Sequence, residues 1–223
     1  MKYTLIFLAL GGSVSCFACI WGRWWHGLHW LSLSFFVLSA GYAGLGSRVY
    51  GKRPDGRIPL WSKLVNFPYM LALVSVWRLV CLLSRENATD EVADDLAIGR
   101  RLAAGELPGG IVNYVDLVAE IEDPKAARDL PGYVSLPILD ADMPSADALR
   151  SVVSQLPPGR TYVHCAQGHG RAALFALALL VQRGVVKSFD EGMKLIRSAR
   201  PGVGLHKGQE AFMRNYLAGD EED

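Results

Sequence analysis

The chain has 223 residues, a hydrophobic content of 51% and a formal net charge of +1. The near-neutral total hides a split, because residues 1–85 carry nine Lys/Arg and one acid, whereas residues 86–223 carry fourteen Lys/Arg and twenty-one acids. The acidic part is a poor partner for nucleic acid, whose binding requires that phosphates be neutralised. The basic, apolar part suits a membrane with anionic lipids. The four cysteines have neither the spacing of a disulfide framework nor that of a zinc site.

Two uncharged runs of nineteen residues, 3–21 and 28–46, open the chain. At about 1.5 Å per residue, each nearly spans a hydrocarbon core of about 30 Å. Arg23 and an aromatic cluster, with Trp24, Trp25 and Trp30, lie between them, as is typical of a membrane interface. We therefore predict a transmembrane helical hairpin over residues 1–47. A cleavable signal peptide is the alternative for the first run, but the second apolar run directly after it favours the hairpin.

Residues 48–87 form a basic loop followed by a short apolar run. Five cations follow the second span and one lies between the spans, which places this loop in the cytoplasm by the positive-inside rule. The run over 67–83 is interrupted by Arg78, and a central Arg costs about 2.5–3.5 kcal/mol on insertion scales. We predict a helix lying in the interface. The alternative, a third transmembrane helix, would carry the remaining chain to the opposite side of the membrane.

From residue 84 the chain becomes polar and then alternates strand and helix patterns, which predicts an α/β domain over residues 88–223. Residues 84–95 are interpreted as a linker and domain start. Ser145 and Ser188 are expected to cap helices, and Glu191 completes a capping box with Ser188. The strands are expected at 96–99, 111–119, 132–139 and 161–165, and the helices at 145–156, 172–183, 188–199 and 207–217.

The sequence His164-Cys165-Ala166-Gln167-Gly168-His169-Gly170-Arg171 lies between a predicted buried strand and a predicted helix. A glycine-bearing loop that ends at a helix N-terminus is a ready anion site, because its backbone N–H groups can turn inward. Arg171 offers a planar fork to two phosphate oxygens. The same groups favour the thiolate of Cys165, which can then attack phosphorus. Asp140 and Asp142, after a predicted strand, are the candidates for protonating the leaving group.

These residues match the H-C-x5-R signature, and the chain resembles the protein tyrosine phosphatase superfamily, especially its small dual-specificity branch, over residues 88–218. The stretches "DEVADDLAIGR", "VDLVAE", "LPILDADMPS" and "RSARPGVGLHKGQEAF" are similar to further family segments. The resemblance implies a central sheet flanked by helices, a phosphocysteine intermediate, and neither a metal nor a cofactor. It also implies Asp140 as the general acid, with Pro144 as the matching loop proline, and residues 166–171 as the phosphate cradle.

Ala172 departs from the family pattern, because most relatives have Ser or Thr directly after the arginine. Slow breakdown of the phosphocysteine is therefore expected. Protein phosphomonoesters are favoured as substrates over phospholipids such as phosphatidylglycerophosphate, since "AQGHG" lacks the extra basic residues of many lipid-phosphate cradles. A phosphate-binding pseudophosphatase and a rhodanese-type sulfur carrier are alternatives from other functional classes.

Five further residues carry expectations. His164 is expected to be a buried orienter of the loop, and Asp116 and Arg200 to be structural. His169 is expected to face either substrate or solvent. Asp123 is expected on a solvated acidic face.

Overall fold

The computed structural model describes residues 2–219 and divides the chain into two compact units. One consists mainly of residues 2–84 and the other mainly of residues 85–219. The acidic residues 220–223 at the end of the chain lie outside the described residues.

The N-terminal unit is built on two antiparallel helices, α1 (Lys2–Trp21) and α2 (Leu28–Ala40), with a 3₁₀ turn at Arg23–Trp25 between them. Short π and 3₁₀ segments extend α2 to Tyr50, so that Lys2–Trp21 and Leu28–Tyr50 are both long and apolar enough to cross a membrane. Small residues let the two helices approach closely, since a Cβ on Gly11 would lie 2.8 Å from the Phe36 ring. The Ser32 hydroxyl donates to the Gly11 carbonyl at 2.6 Å.

Two further helices complete this unit, α3 (Leu60–Val65) and α4 (Phe67–Leu83). The sequence missed α3, a six-residue helix, whereas α4 coincides with the predicted apolar run. α4 has 17 residues, a length of about 25 Å at the usual rise per residue. It packs on α2 through the stacked rings of Trp30 and Phe67. Its placement in the interface or across the membrane stays a prediction.

The C-terminal unit contains a five-stranded sheet in the order β1-β2-β5-β3-β4. β1 is antiparallel to β2, whereas the other neighbours are parallel. β5 lies at the centre and all of its residues are buried, which explains its short apolar sequence. The strands are Thr89–Ala93, Leu96–Arg100, Asn113–Val118, Tyr133–Ile138 and Thr161–Cys165.

Helices cover this sheet, which confirms the predicted α/β class. α7 is buried from Arg171 to Leu180, and its Ala/Leu composition follows from that burial. The Ser145 and Ser188 hydroxyls cap α6 and α8, as predicted. The Glu191 carboxylate, however, accepts from the Lys187 amide and not from that of Ser188 as a regular capping box would have it. The helices are α5 (Lys125–Arg128), α6 (Ala146–Gln155), α7 (Arg171–Gln182), α8 (Phe189–Ala199) and α9 (Lys207–Gly219).

The segment 84–95, interpreted as a linker and domain start, contains β1, which the strand pattern alone did not predict. This strand is at the edge of the sheet and pairs with β2 alone among the described strands. Val92 is its one buried residue. An edge strand with little burial does not need the apolar alternation by which strands are recognised in a sequence.

Candidate active site

The loop from Cys165 to Arg171, here called the cysteine loop, connects the end of β5 to the start of α7. Cys165 is buried, and the backbone N–H of Gly168 donates to its Sγ at 3.2 Å. Gly168 has a φ of +77°, a conformation that favours glycine. A Cβ at this position would also lie 2.4 Å from the Gly99 backbone. The loop therefore needs glycine here to bring an amide onto the sulfur.

The carbonyl groups of the cysteine loop are held by partners outside it. The Gln167 carbonyl accepts from Arg200 Nη2 at 2.9 Å, and the Ala166 carbonyl accepts from the Arg101 amide at 3.3 Å. The C=O and N–H of a trans peptide point in opposite directions. Holding the Gln167 carbonyl therefore directs the Gly168 N–H toward Cys165, as the hydrogen bond above shows.

Arg171 and Asp140 form an ion pair at the mouth of the loop. The Arg171 side chain is buried and its Nη1 donates to the Ile138 carbonyl at 2.7 Å, at the end of β4. Its Nη2 lies 3.2 Å from Asp140 Oδ1, and the Asp140 side chain is 79% exposed. An acid with one oxygen near the guanidinium and most of its surface open to water is accessible to a substrate.

A single cavity of about 330 Å³ joins these groups. The sequence-predicted residues that line it are Asp140, Cys165, Ala166, Gln167, His169, Gly170 and Arg171. Gly168 of the cysteine loop is buried. Neither Gly168 nor Asp142 is among the described residues that line the cavity. The cavity is also lined by residues that the sequence did not single out as site residues, namely Ala141, Gly202, Gly204, His206 and Gln209.

Gln209, one of these lining residues, links the segment of the candidate acid to His206. Its Nε2 donates to the Asp142 carbonyl at 2.8 Å, and its Oε1 accepts from the His206 amide at 3.2 Å. Between Asp140 and Asp142, Ala141 has a φ of +56°, a left-handed conformation that is uncommon for a residue with a Cβ. The backbone therefore reverses sharply at Ala141, between an exposed Asp140 and an Asp142 held by its carbonyl.

His164 is buried as expected, but its main partner is a residue that the sequence placed in solvent. Its Nε2 lies 2.8 Å from Asp123 Oδ2, and both side chains are fully buried. Its Nδ1 faces the Cys165 carbonyl at 3.3 Å. The prediction of a solvated Asp123 was wrong, because the chain after β3 turns inward beside the end of β5. Asp116 lies opposite His164 in the β3–β5 register. Its place on a predicted buried strand was the one indication in the sequence that acidic residues surround His164.

Asp116 is buried and structural, as expected. Its two oxygens accept from the Val118 amide at 2.8 Å and the Tyr133 hydroxyl at 2.5 Å. Burial, together with the Asp116 charge, raises the pKa of the Tyr133 phenol well above its ordinary value. Tyr133 therefore remains a neutral donor to this carboxylate.

Asp116, Asp123 and His164 also have the spacing of a metal site, with ligand atoms within 4.8 Å of one another. Arg101 Nε, however, lies 3.4 Å from Asp123 Oδ1. The 2.8 Å contact between His164 and Asp123 is a hydrogen-bond distance. The geometry is that of a buried charge network.

At the rim of the cavity, His169 contacts an acid from the segment before β1. His169 Nε2 lies 2.7 Å from Glu86 Oε2, which is also 3.1 Å from Arg200 Nη2. Arg200 is buried and its Nη1 contacts Asp90 Oδ2 at 2.5 Å. The structural role expected of Arg200 is therefore to join the start of this unit to the cysteine loop.

No protein-family model and no curated protein sequence match this chain. Solved structures do, and the C-terminal unit has the fold of dual-specificity and tyrosine phosphatases. Human DUSP28 is 19% identical with a TM-score of 0.52, covering 61% of this chain and 97% of its own. Tk-PTP in its active form is 22% identical with a TM-score of 0.51, covering 59% of this chain and 97% of its own. PTPMT1 in complex with PI(5)P is 16% identical with a TM-score of 0.52, covering 61% and 98%.

Proposed function

We propose that this protein is a membrane-anchored, cysteine-dependent phosphatase that hydrolyses phosphomonoesters on proteins. The observation that carries the proposal is the convergence of three groups on one cavity. These are the Cys165 sulfur with an amide donor, the buried guanidinium of Arg171, and the accessible carboxyl of Asp140. Phosphoryl transfer needs positioning and charge stabilisation of this kind.

In the proposed reaction, the Cys165 thiolate attacks the phosphorus and forms an S–P bond while the P–O bond to the leaving group breaks. Asp140 donates its proton to the departing oxygen. The loop amides and Arg171 hold the charge on the remaining phosphate oxygens. Asp140 then accepts a proton from water, whose oxygen attacks the phosphocysteine, so that inorganic phosphate leaves and the thiolate is restored.

The anchor is supported by the exposure of apolar surface in the N-terminal unit. Only 11% of the apolar window in α1 is buried, unlike the core helix of a soluble protein. Contiguous apolar surface of this extent marks a membrane or interaction site. Several large side chains of α1 and the following turn are exposed, among them Leu5, Leu8, Ile20, Trp21 and Trp24.

A phospholipid headgroup is the second candidate substrate. The proposed anchor would bring the protein to a lipid surface, and one structure with the same fold is a complex with PI(5)P. Against this, Arg171 is the one Lys or Arg among the described residues that line the cavity, and Glu86 and Asp140 add negative charge at its rim. A cavity with one cationic side chain suits a substrate that carries a single phosphate. We therefore favour phosphorylated proteins over phospholipids as substrates.

The test uses the full chain in detergent, with p-nitrophenyl phosphate, a phosphotyrosine peptide and a short-chain phosphatidylglycerophosphate in parallel. We expect Cys165→Ser to abolish hydrolysis and Arg171→Lys to lower kcat/KM by at least about a hundredfold, since oxyanion-type donors contribute on that scale. Asp140→Asn is expected to lower kcat by about a hundredfold on poor leaving groups, and Asp142→Asn is its matched control.

The ratio between peptide and lipid turnover separates the two substrate classes. Equal activity of Cys165→Ser and the parent would contradict the proposal. Phosphate binding without turnover would favour a pseudophosphatase, and thiosulfate turnover would favour a sulfur carrier.

A further inference from the structure

The side chain of His169, in the cysteine loop, is engaged by an acid at the rim of the cavity. His169 lines the cavity, and its Nε2 lies 2.7 Å from Glu86 Oε2, in the segment before β1. The same oxygen accepts from Arg200 Nη2 at 3.1 Å. A carboxylate only accepts and a guanidinium only donates. The shorter contact is therefore an imidazole N–H that donates to Glu86.

Two further segments of the chain hold this pair in place. Arg200, after α8, is buried and also donates to the Gln167 carbonyl, so that its guanidinium fixes the Glu86 carboxylate beside the cysteine loop. A Cβ on Gly202 would lie 2.4 Å from Glu86 Oε1 and 2.9 Å from His169 Nε2. Gly202 does not have a positive φ. Glycine at this position therefore makes room for the pair and does not serve the backbone conformation.

The engaged His169 leaves the cavity with few donors for a second anionic group. Arg171 is the one Lys or Arg among the described residues that line the cavity, and the proposed reaction uses it for the phosphate that is transferred. An N–H that donates to a carboxylate is not available to a substrate oxygen. A second phosphate group near His169 would meet the negative charge of Glu86, and a like charge placed against one class of ligand is a common source of specificity.

We infer that Glu86 is a specificity-determining residue that restrains His169, so that the cavity accepts one phosphate group and discriminates against substrates that carry a second one beside it. Glu86 acts through His169. When the carboxylate is removed, the imidazole N–H is released and can donate to the second phosphate group. The inference rests on the proposed phosphatase site and names the class of substrate that the site selects, a phosphomonoester without a neighbouring phosphate.

The test measures binding and not turnover, so that it can fail separately from the phosphatase proposal. The full chain in detergent carries Cys165→Ser, and titration calorimetry gives its Kd for inorganic phosphate and for pyrophosphate. We expect Glu86→Ala to improve the binding of pyrophosphate relative to phosphate by about tenfold, the scale of one hydrogen bond to a charged group. Glu86→Gln keeps an acceptor oxygen for the His169 N–H and is expected to improve it less.

Two variants separate this role from a structural one. In Glu86→Ala/His169→Phe the loop keeps a ring but loses its N–H groups, and we expect the improvement to disappear. Asp90→Asn is the matched control, because it weakens the other carboxylate contact of Arg200 and leaves the contact between Glu86 and His169 in place. We expect it to lower the unfolding temperature without changing the ratio of the two Kd values.

Three results would overturn the inference. One is an unchanged ratio of Kd values in a Glu86→Ala variant that retains its unfolding transition. Another is an improvement that persists in Glu86→Ala/His169→Phe, because Glu86 would then act on the ligand directly and not through His169. The last is an equal change in Asp90→Asn, which would mean that the ratio reports the position of Arg200.

Discussion

Two positions in the cysteine loop and the helix after it are defined by what their side chains lack. Gly168 has no Cβ, which permits its φ of +77° and its close approach to Gly99. Ala172 has no hydroxyl and is fully buried in the first turn of α7. The missing Cβ of Gly168 affects the geometry of the loop, and the missing hydroxyl at Ala172 affects the chemistry of the sulfur.

We predict that Gly168→Ala destabilises the protein and inactivates it. The left-handed conformation costs a residue with a Cβ about 1–2 kcal/mol, and the Gly99 backbone must also move away from the new Cβ, which would lie 2.4 Å from it. Gly105→Ala is the control, since its φ is +95° but nothing lies within 4 Å of its Cβ. Denaturant unfolding and phosphatase rates of both variants provide the measurement; equal losses in the two would contradict the role of the contact.

We predict that Ala172→Ser accelerates the second chemical step. In the phosphatases that this loop resembles, a hydroxyl after the arginine helps the thiolate to leave. A hydrogen bond to a charged group contributes about 1.5 kcal/mol or more, which corresponds to about a tenfold faster breakdown of the phosphocysteine. Rapid-quench kinetics with p-nitrophenyl phosphate should show a smaller burst and a faster steady state, whereas Ala173→Ser, one buried position further along α7, should change neither.

At the scale of secondary-structure elements, β1 and Arg200 together hold the cysteine loop from outside. Arg200 follows α8, contacts Asp90 on β1 and Glu86 before it, and donates to the Gln167 carbonyl. The peptide that it holds is the one whose N–H reaches Cys165. A strand that is far from Cys165 in sequence therefore helps to set the direction of the amide that bonds its sulfur.

We predict that Arg200→Lys lowers kcat/KM by about tenfold, because an ammonium cannot reproduce a fork that bonds four partners and each charge-assisted hydrogen bond lost contributes about 1.5–3 kcal/mol. Arg183→Lys is the control, since Arg183 contacts Asp95 and the Thr161 hydroxyl at the opposite end of β5. Both variants should lose comparable stability in thermal unfolding. A comparable loss of activity in Arg183→Lys would show that activity follows stability alone.

The parts of the fold that were predictable from sequence are those with a strong local pattern. β5, the cysteine loop and α7 are contiguous in the chain, and their burial leaves an apolar run on each side of the motif. β1 and the buried position of Asp123 were not predictable in the same way. Both depend on which distant segment pairs with them, and neither an edge strand nor an acid after a strand carries a local signature of that pairing.

For the whole molecule, the charge division in the sequence coincides with the division into two units. The basic, apolar part forms the helical unit and the acidic part forms the α/β unit. The two units divide between residues 84 and 85, close to the point where the charge balance changes, although residues 54–56 and 119–121 each belong to the other unit.

The burial of α7 on all sides has a consequence for how activity is lost on heating. β5 and this helix contribute residues to the hydrophobic core, and the cysteine loop joins them. Since the carbonyls of this loop are hydrogen-bonded to Arg101 and Arg200 and both of its ends are buried, we expect it to open only when the core opens. Thermal inactivation and cooperative melting of the α/β unit should then be a single event, with no range of temperature in which a folded protein carries a disordered site.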